Sequence, residues 1–84
     1  MRPYAVFIHE QALATAPRSG GQREAVMKFI RALADAPNTA GDFTEKDNTG
    51  RVVEVKIIGR YAITFWADHA VSEIKVTHIK SADK

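Results

Sequence analysis

The sequence predicts an α+β domain in which one or two helices cover one face of an antiparallel sheet. Val26, Phe29, Ile30 and Leu33 fall at i, i+3, i+4 and i+7, which is the apolar stripe of an amphipathic helix. From Val53 onward the apolar period changes to two, through Val53-Val55-Ile57, Tyr61-Ile63-Phe65 and Ile74-Val76. Ahead of both, Tyr4 to Ile8 is an apolar, β-branched and aromatic run too short for a buried helix, so the chain should open on a strand.

The elements follow in order. After the first strand, Glu10 to Ala16 is rich in Ala and Leu and predicts one or two helical turns stopped by Pro17. Ser19-Gly20-Gly21-Gln22 has the form of a capping box, with Gly21 an alternative cap, and opens the main helix. Asp35-Ala36-Pro37 closes it, because the residue before a proline is driven out of helical geometry. Asn48-Thr49-Gly50 reads as the turn of a solvated hairpin, with Asp47 placed to pair with Arg51 across it.

The three strands that follow form a meander, and the turns set its register. A two-residue Gly59-Arg60 turn would bring Tyr61 onto the face of Glu54 and Lys56. A three-residue loop, Ile58 to Arg60, pairs Ile57 with Tyr61, Val55 with Ile63 and Val53 with Phe65, and keeps one face apolar. The second register is therefore expected. A four-residue loop, Asp68 to Val71, then pairs Phe65 with Ile74 and Ile63 with Val76. On this reading Val53, Val55, Ile57, Ile63, Phe65, Ile74 and Val76 lie under the helix carrying Phe29 and Leu33. Glu54, Lys56, Thr64, Trp66, Glu73 and Lys75 form an open face.

Composition bounds the function. Residues 1–84 make a single domain, with 45% apolar and 26% charged residues, an ordinary globular balance. Twelve basic against ten acidic residues leave a net charge of +2, too little to mark a nucleic-acid protein by charge alone. The absence of cysteine removes disulfide and thiolate chemistry. No apolar run reaches the length of a signal segment or a membrane span, so a cytoplasmic protein is expected. Ser19-Gly20-Gly21 is a poor phosphate loop, and His9, His69 and His78 lack metal-ligand spacing, so neither metal nor cofactor is expected. His9 reads as a helix-start residue, His69 as a turn residue, and His78 falls on the core-side parity of the last strand. Trp66 points to the open face, either as a stacking platform for a base or as an anchor under a partner.

The order of strand, helices and meander, together with "RALADAPNTAGDF", "RVVEVKIIGRYAITFW" and "VSEIKVTHIK", resembles the RelE/ParE superfamily of type II toxin–antitoxin toxins. The resemblance covers nearly the whole chain. It implies the fold just described and a toxin neutralised by a cognate antitoxin protein. RelE-like members cut messenger RNA in the ribosome without a metal, using Lys and Arg side chains on the open sheet face. ParE-like members poison DNA gyrase. Carried onto this sequence, the catalytic candidates are Lys56, Lys80 and Arg60, and the RNA- or partner-binding candidates are Trp66, Lys75, Thr64 and Arg51. Ala62 stands where the cutters have an arginine, with Arg60 its nearest substitute. The chain closes on Ser81-Ala82-Asp83-Lys84 instead of the family's terminal aromatic residue. The resemblance therefore implies metal-independent cleavage of messenger RNA that is weak or absent, with any activity present depending on Lys56. Two alternatives stay open at this point: a family member acting by binding alone, or a small α+β module whose open face forms a homodimer.

Overall fold

In the computed structural model, which describes residues 2–82, the elements run β1 (Ala5–Ile8), α1 (Glu10–Thr15), α2 (Gly20–Ala32), β2 (Phe43–Lys46), β3 (Val52–Ile58), β4 (Tyr61–Asp68) and β5 (Glu73–Ser81). The five strands form one sheet in the order β1-β5-β4-β3-β2. Only β1 and β5 run parallel. The expected N-terminal strand and both helices are present. The meander has four strands, however, because the hairpin at Asn48-Thr49-Gly50 joins the sheet through β2. The last two residues, Asp83 and Lys84, lie outside the described residues.

Both helices pack on one face of the sheet. Ala12 and Ala16 from the α1 segment and Val26, Ile30 and Leu33 from the α2 segment close over Ile63, Phe65, Ile74, Val76 and Ile79. Phe29 meets Phe65 edge to face, with ring centroids 5.6 Å apart. The expected capping box does not form, since Ser19 makes no side-chain cap. Gln22 reaches the sheet instead. Its Nε2 donates to the Ile58 carbonyl at 3.0 Å, and its Oε1 accepts the Arg60 N–H at 3.2 Å.

That contact sits on the turn that sets the register, and the expected three-residue loop is wrong. Ile58 pairs with Tyr61 across a two-residue Gly59-Arg60 turn, Val55 with Thr64, and Lys56 with Ile63. Gly59 has φ 59°, the positive value that a type II′ turn requires at its first central position. A Cβ there would lie 2.5 Å from the Gln22 amide. The one-residue difference exchanges the faces of β3. Val53, Val55 and Ile57 lie on the face away from the helices, and Glu54 and Lys56 on the helix side.

The turned-over residues are accommodated at the rim. Glu54 Oε1 accepts the Gly41 N–H at 2.8 Å. Lys56 Nζ lies 3.3 Å from Asp42 Oδ1, while Asp42 Oδ2 accepts the Ile57 N–H at 2.7 Å. A Cβ on Gly41 would lie 2.5 Å from the Val55 carbonyl oxygen, so this approach of loop to strand requires glycine.

A second departure lies between β4 and β5. The loop spans 69–72, one residue later than expected, and is closed by Ser72 at φ 57°. Trp66 therefore pairs with Lys75, and Phe65 with Val76. A β-bulge follows: Thr64 pairs with His78, leaving Thr77 as the extra residue. The Thr77 carbonyl accepts from Gln11 Nε2 of α1 at 3.1 Å. Beyond the bulge the parity of β5 reverses, so Ile79 is buried and His78 is exposed on the open face, against the sequence expectation.

Phe65 is 2% exposed inside the core, while Trp66 is only half-buried on the opposite face. Phe65→Ala should lower stability by about 3–5 kcal/mol in urea denaturation, and Trp66→Ala by much less. Equal losses would place both rings on one side.

The Ile57 N–H, then Lys56, hold the Asp42 carboxyl below the usual carboxylate range. The unfolded chain thus takes this proton first as pH falls. The contribution is full above the ordinary value of 3.8 and is lost as pH falls through the lower folded value. Asp42→Asn should flatten the acid limb of stability against pH; an unchanged limb would show that the carboxylate is free.

Candidate nucleic-acid interface

The sheet face opposite the helices holds a groove of about 510 Å³. Its floor is strand side chains that the register turns outward. Val53 is 3% exposed and Thr64 8%, so the floor is packed even though no helix covers it. Thr77 and His78 of β5 line one wall, and the β2–β3 hairpin from Glu45 to Arg51 lines the other. His9, immediately before α1, also borders it. At one end stand Arg51, Trp66 and Lys75; at the other stand His78 and Lys80. Lys75 and Lys80 pair with Trp66 and Ala62, four strand residues apart, about 13 Å, enough for more than one nucleotide.

The groove concentrates the protein's charge. Four basic side chains line it (Lys46, Arg51, Lys75 and Lys80) against two acidic ones, Glu45 and Asp47. The chain as a whole has twelve and ten. The lining thus carries two more cations than acids, with Glu73 paired to Lys75 beside it. This local excess is a feature an anionic ligand would use although the net charge of the chain is small.

The cations are not equally free. Lys75 Nζ lies 3.3 Å from Glu73 Oε1, and Arg51 Nη1 lies 3.5 Å from Asp47 Oδ2. Such surface pairs contribute about 0–1 kcal/mol each and exchange readily for a phosphate. Lys80 is exposed opposite Ala62 and has no acidic partner among the described residues. Arg51 Cζ stands 3.8 Å from the centre of the Trp66 ring and Lys75 Nζ 5.6 Å from it, so the indole is held among cations. The Asp47 carboxyl is held below its usual range, first by the Thr49 hydroxyl and then by the Thr49 and Arg51 N–H groups, and stays charged beside Arg51.

The sequence-derived candidates therefore divide. Trp66, Lys75, Thr64, Arg51 and Lys80 come together in the groove, and the Asp47–Arg51 pair forms as expected. Lys56 and Arg60 do not line it. Lys56 is turned to the helix side by the register, and Arg60 is fixed in the β3–β4 turn by Gln22. His78 enters the groove in their place, with Nδ1 3.1 Å from the Thr77 hydroxyl. The sequence carries a sign of this: the apolar positions of β5 step by two from Ile74 to Val76 and then by three to Ile79. Among the described residues, no group of three His, Asp or Glu side chains is placed to hold a metal ion, and no helix is long and apolar enough to cross a membrane.

Trp66 is the only tryptophan, so its emission reports this end of the groove directly. Arg51→Ala should shift that emission to the red and increase quenching by acrylamide. An unchanged spectrum would mean that the guanidinium does not cover the ring in solution.

No protein-family model matches the sequence, and no curated protein matches it. Among solved structures, a chain of the toxin–antitoxin complex RelBE2 from Mycobacterium tuberculosis superimposes with a TM-score of 0.72. The match covers 94% of this chain and 98% of that one, at 16% identity. The expected α+β class is thus observed, with five strands where four were expected, and this five-stranded sheet with two helices is the fold shared with a chain of a toxin–antitoxin complex.

Proposed function

We propose that this protein is the toxin of a toxin–antitoxin pair, acting in the cytoplasm on messenger RNA bound in the groove, with an antitoxin protein as its cognate partner. The observation that carries this reading is the collection of Lys46, Arg51, Lys75 and Lys80 with Trp66 in one groove on the uncovered sheet face. The likeness to a chain of a toxin–antitoxin complex supports the toxin and antitoxin roles. Four basic side chains give weak, salt-sensitive affinity for free RNA. A substrate already held in place, as on the ribosome, suits such a site.

The chemistry available is transfer of the phosphoryl group from the 5′-oxygen to the 2′-oxygen of the preceding ribose. The 2′-OH loses its proton as the O2′–P bond forms. The P–O5′ bond breaks, and the 5′-oxygen takes up a proton. An imidazole serves proton transfer of this kind, and His78 is an exposed imidazole of the groove two residues from Lys80, which has no acidic partner among the described residues. Lys80 stabilises the charge that builds on the phosphorane oxygens. The position of Lys56 and Arg60 outside the groove favours a second reading, a toxin that acts by binding alone, since the cations implied for cutting are reduced to one.

Expression without the antitoxin, with growth and messenger-RNA ends followed together, separates these readings. Growth should arrest with new RNA ends, and His78→Ala and Lys80→Ala should each reduce cleavage by about 10²-fold or more. Lys56→Ala should leave cleavage unchanged. Arrest without new ends would establish the binding-only reading; cleavage that survives both groove variants would overturn the assignment of the site.

A further inference from the structure

We propose that Arg51, carried on Trp66, is the nucleobase platform of the groove, and that Asp47 is the residue that positions it. Single-stranded RNA then stacks a base on the outer side of the guanidinium while Lys75 meets the phosphate. The proposal rests on the RNA reading above and names how that RNA is held.

The geometry is specific. With Arg51 Cζ 3.8 Å from the centre of the indole, one face of Trp66 is already occupied, and a base cannot stack there without displacing the arginine. Yet the Arg51 side chain is 44% exposed. The guanidinium therefore lies over the ring while part of the side chain stays open to solvent. A guanidinium is planar, delocalised and weakly hydrated, and it stacks on aromatic rings and on bases, which an ammonium does not do. The indole behind it holds the plane in place.

The β2–β3 turn is built to deliver that side chain. Asp47 Oδ1 accepts the Thr49 N–H at 2.9 Å, the Thr49 hydroxyl at 2.7 Å and the Arg51 N–H at 3.0 Å. Asp47 Oδ2 faces the guanidinium at 3.5 Å. One carboxylate thus fixes both the backbone of Arg51 and the direction of its side chain. A negative charge in a groove that binds RNA opposes binding by Coulomb's law, so the positioning role accounts for an otherwise unfavourable residue.

Binding of a short fluorescent single-stranded oligoribonucleotide to the antitoxin-free protein, at low salt and as a function of salt, tests this. Arg51→Lys keeps the charge and removes the plane. It should bind about tenfold more weakly than the wild type with the same salt dependence, while Arg51→Ala should lose affinity and also flatten the salt slope by about one charge. Asp47→Asn gives opposite signs for the two accounts. Removing an acid from the groove strengthens RNA binding if only charge matters, and weakens it if Asp47 aims Arg51. Circular dichroism confirms that each variant is folded. Wild-type affinity in Arg51→Lys, or tighter binding by Asp47→Asn, overturns the platform and leaves the RNA reading standing. No binding by the wild-type protein at low salt overturns both.

Discussion

Gln22 holds the geometry on which the face of the sheet depends. From the first turn of α2 it clamps the Ile58 carbonyl and the Arg60 N–H, with its amide packed against residue 59. Glycine supplies the positive φ, and the hairpin closes in two residues. The side-chain period of a strand is two, so a loop one residue longer would turn all of β3 over. Lys56 would then face the groove, and Val53 would lie beneath the helices. A single polar contact between helix and turn thereby decides which residues a ligand meets.

The bulge in β5 makes the second such decision. Thr77 leaves the ladder, its carbonyl is taken by Gln11 of α1, and the strand resumes with its parity reversed. Ile79 enters the core and His78 leaves it. Buried backbone groups must find partners, and α1 provides one where the β4–β5 pairing cannot. Both irregularities are thus held by glutamine side chains from helices that lie on the opposite face of the sheet. The helices shape the groove from behind, and among their described residues only Gln11 of α1 borders it.

Electrostatics divides along the same line. Away from the groove, Lys56 is paired with Asp42 at the rim. Within it, two of the cations lean on weak carboxylate partners, and Trp66 is held among them. Pairs this exposed are ones a phosphate could exchange at small cost. The Arg51–Trp66 contact and Lys75 stand at one end of the groove, and the exposed imidazole of His78 lies with Lys80 at the other.

Much of the fold was legible in residue pattern. The stripe Val26-Phe29-Ile30-Leu33 and the alternation around Ile63-Phe65 and Ile74-Val76 follow from periods that each element must satisfy to bury an apolar face. Trp66 on the uncovered face and the Asp47–Arg51 pair are likewise local consequences of alternation and turn chemistry. The register was not local. Val53-Val55-Ile57 is as apolar as a core face, and nothing in its own segment states that Gln22, far earlier in the chain, will hold the Gly59 turn to two residues. The apolar floor of the groove consumes that face instead, and Lys56 follows to the other side. His78 depended likewise on a carbonyl satisfied from α1. Sequence alone determined which residues alternate; tertiary contacts at one turn and one bulge decided which way each alternation faces, because a slip of one residue leaves the local pattern intact while reversing every side chain.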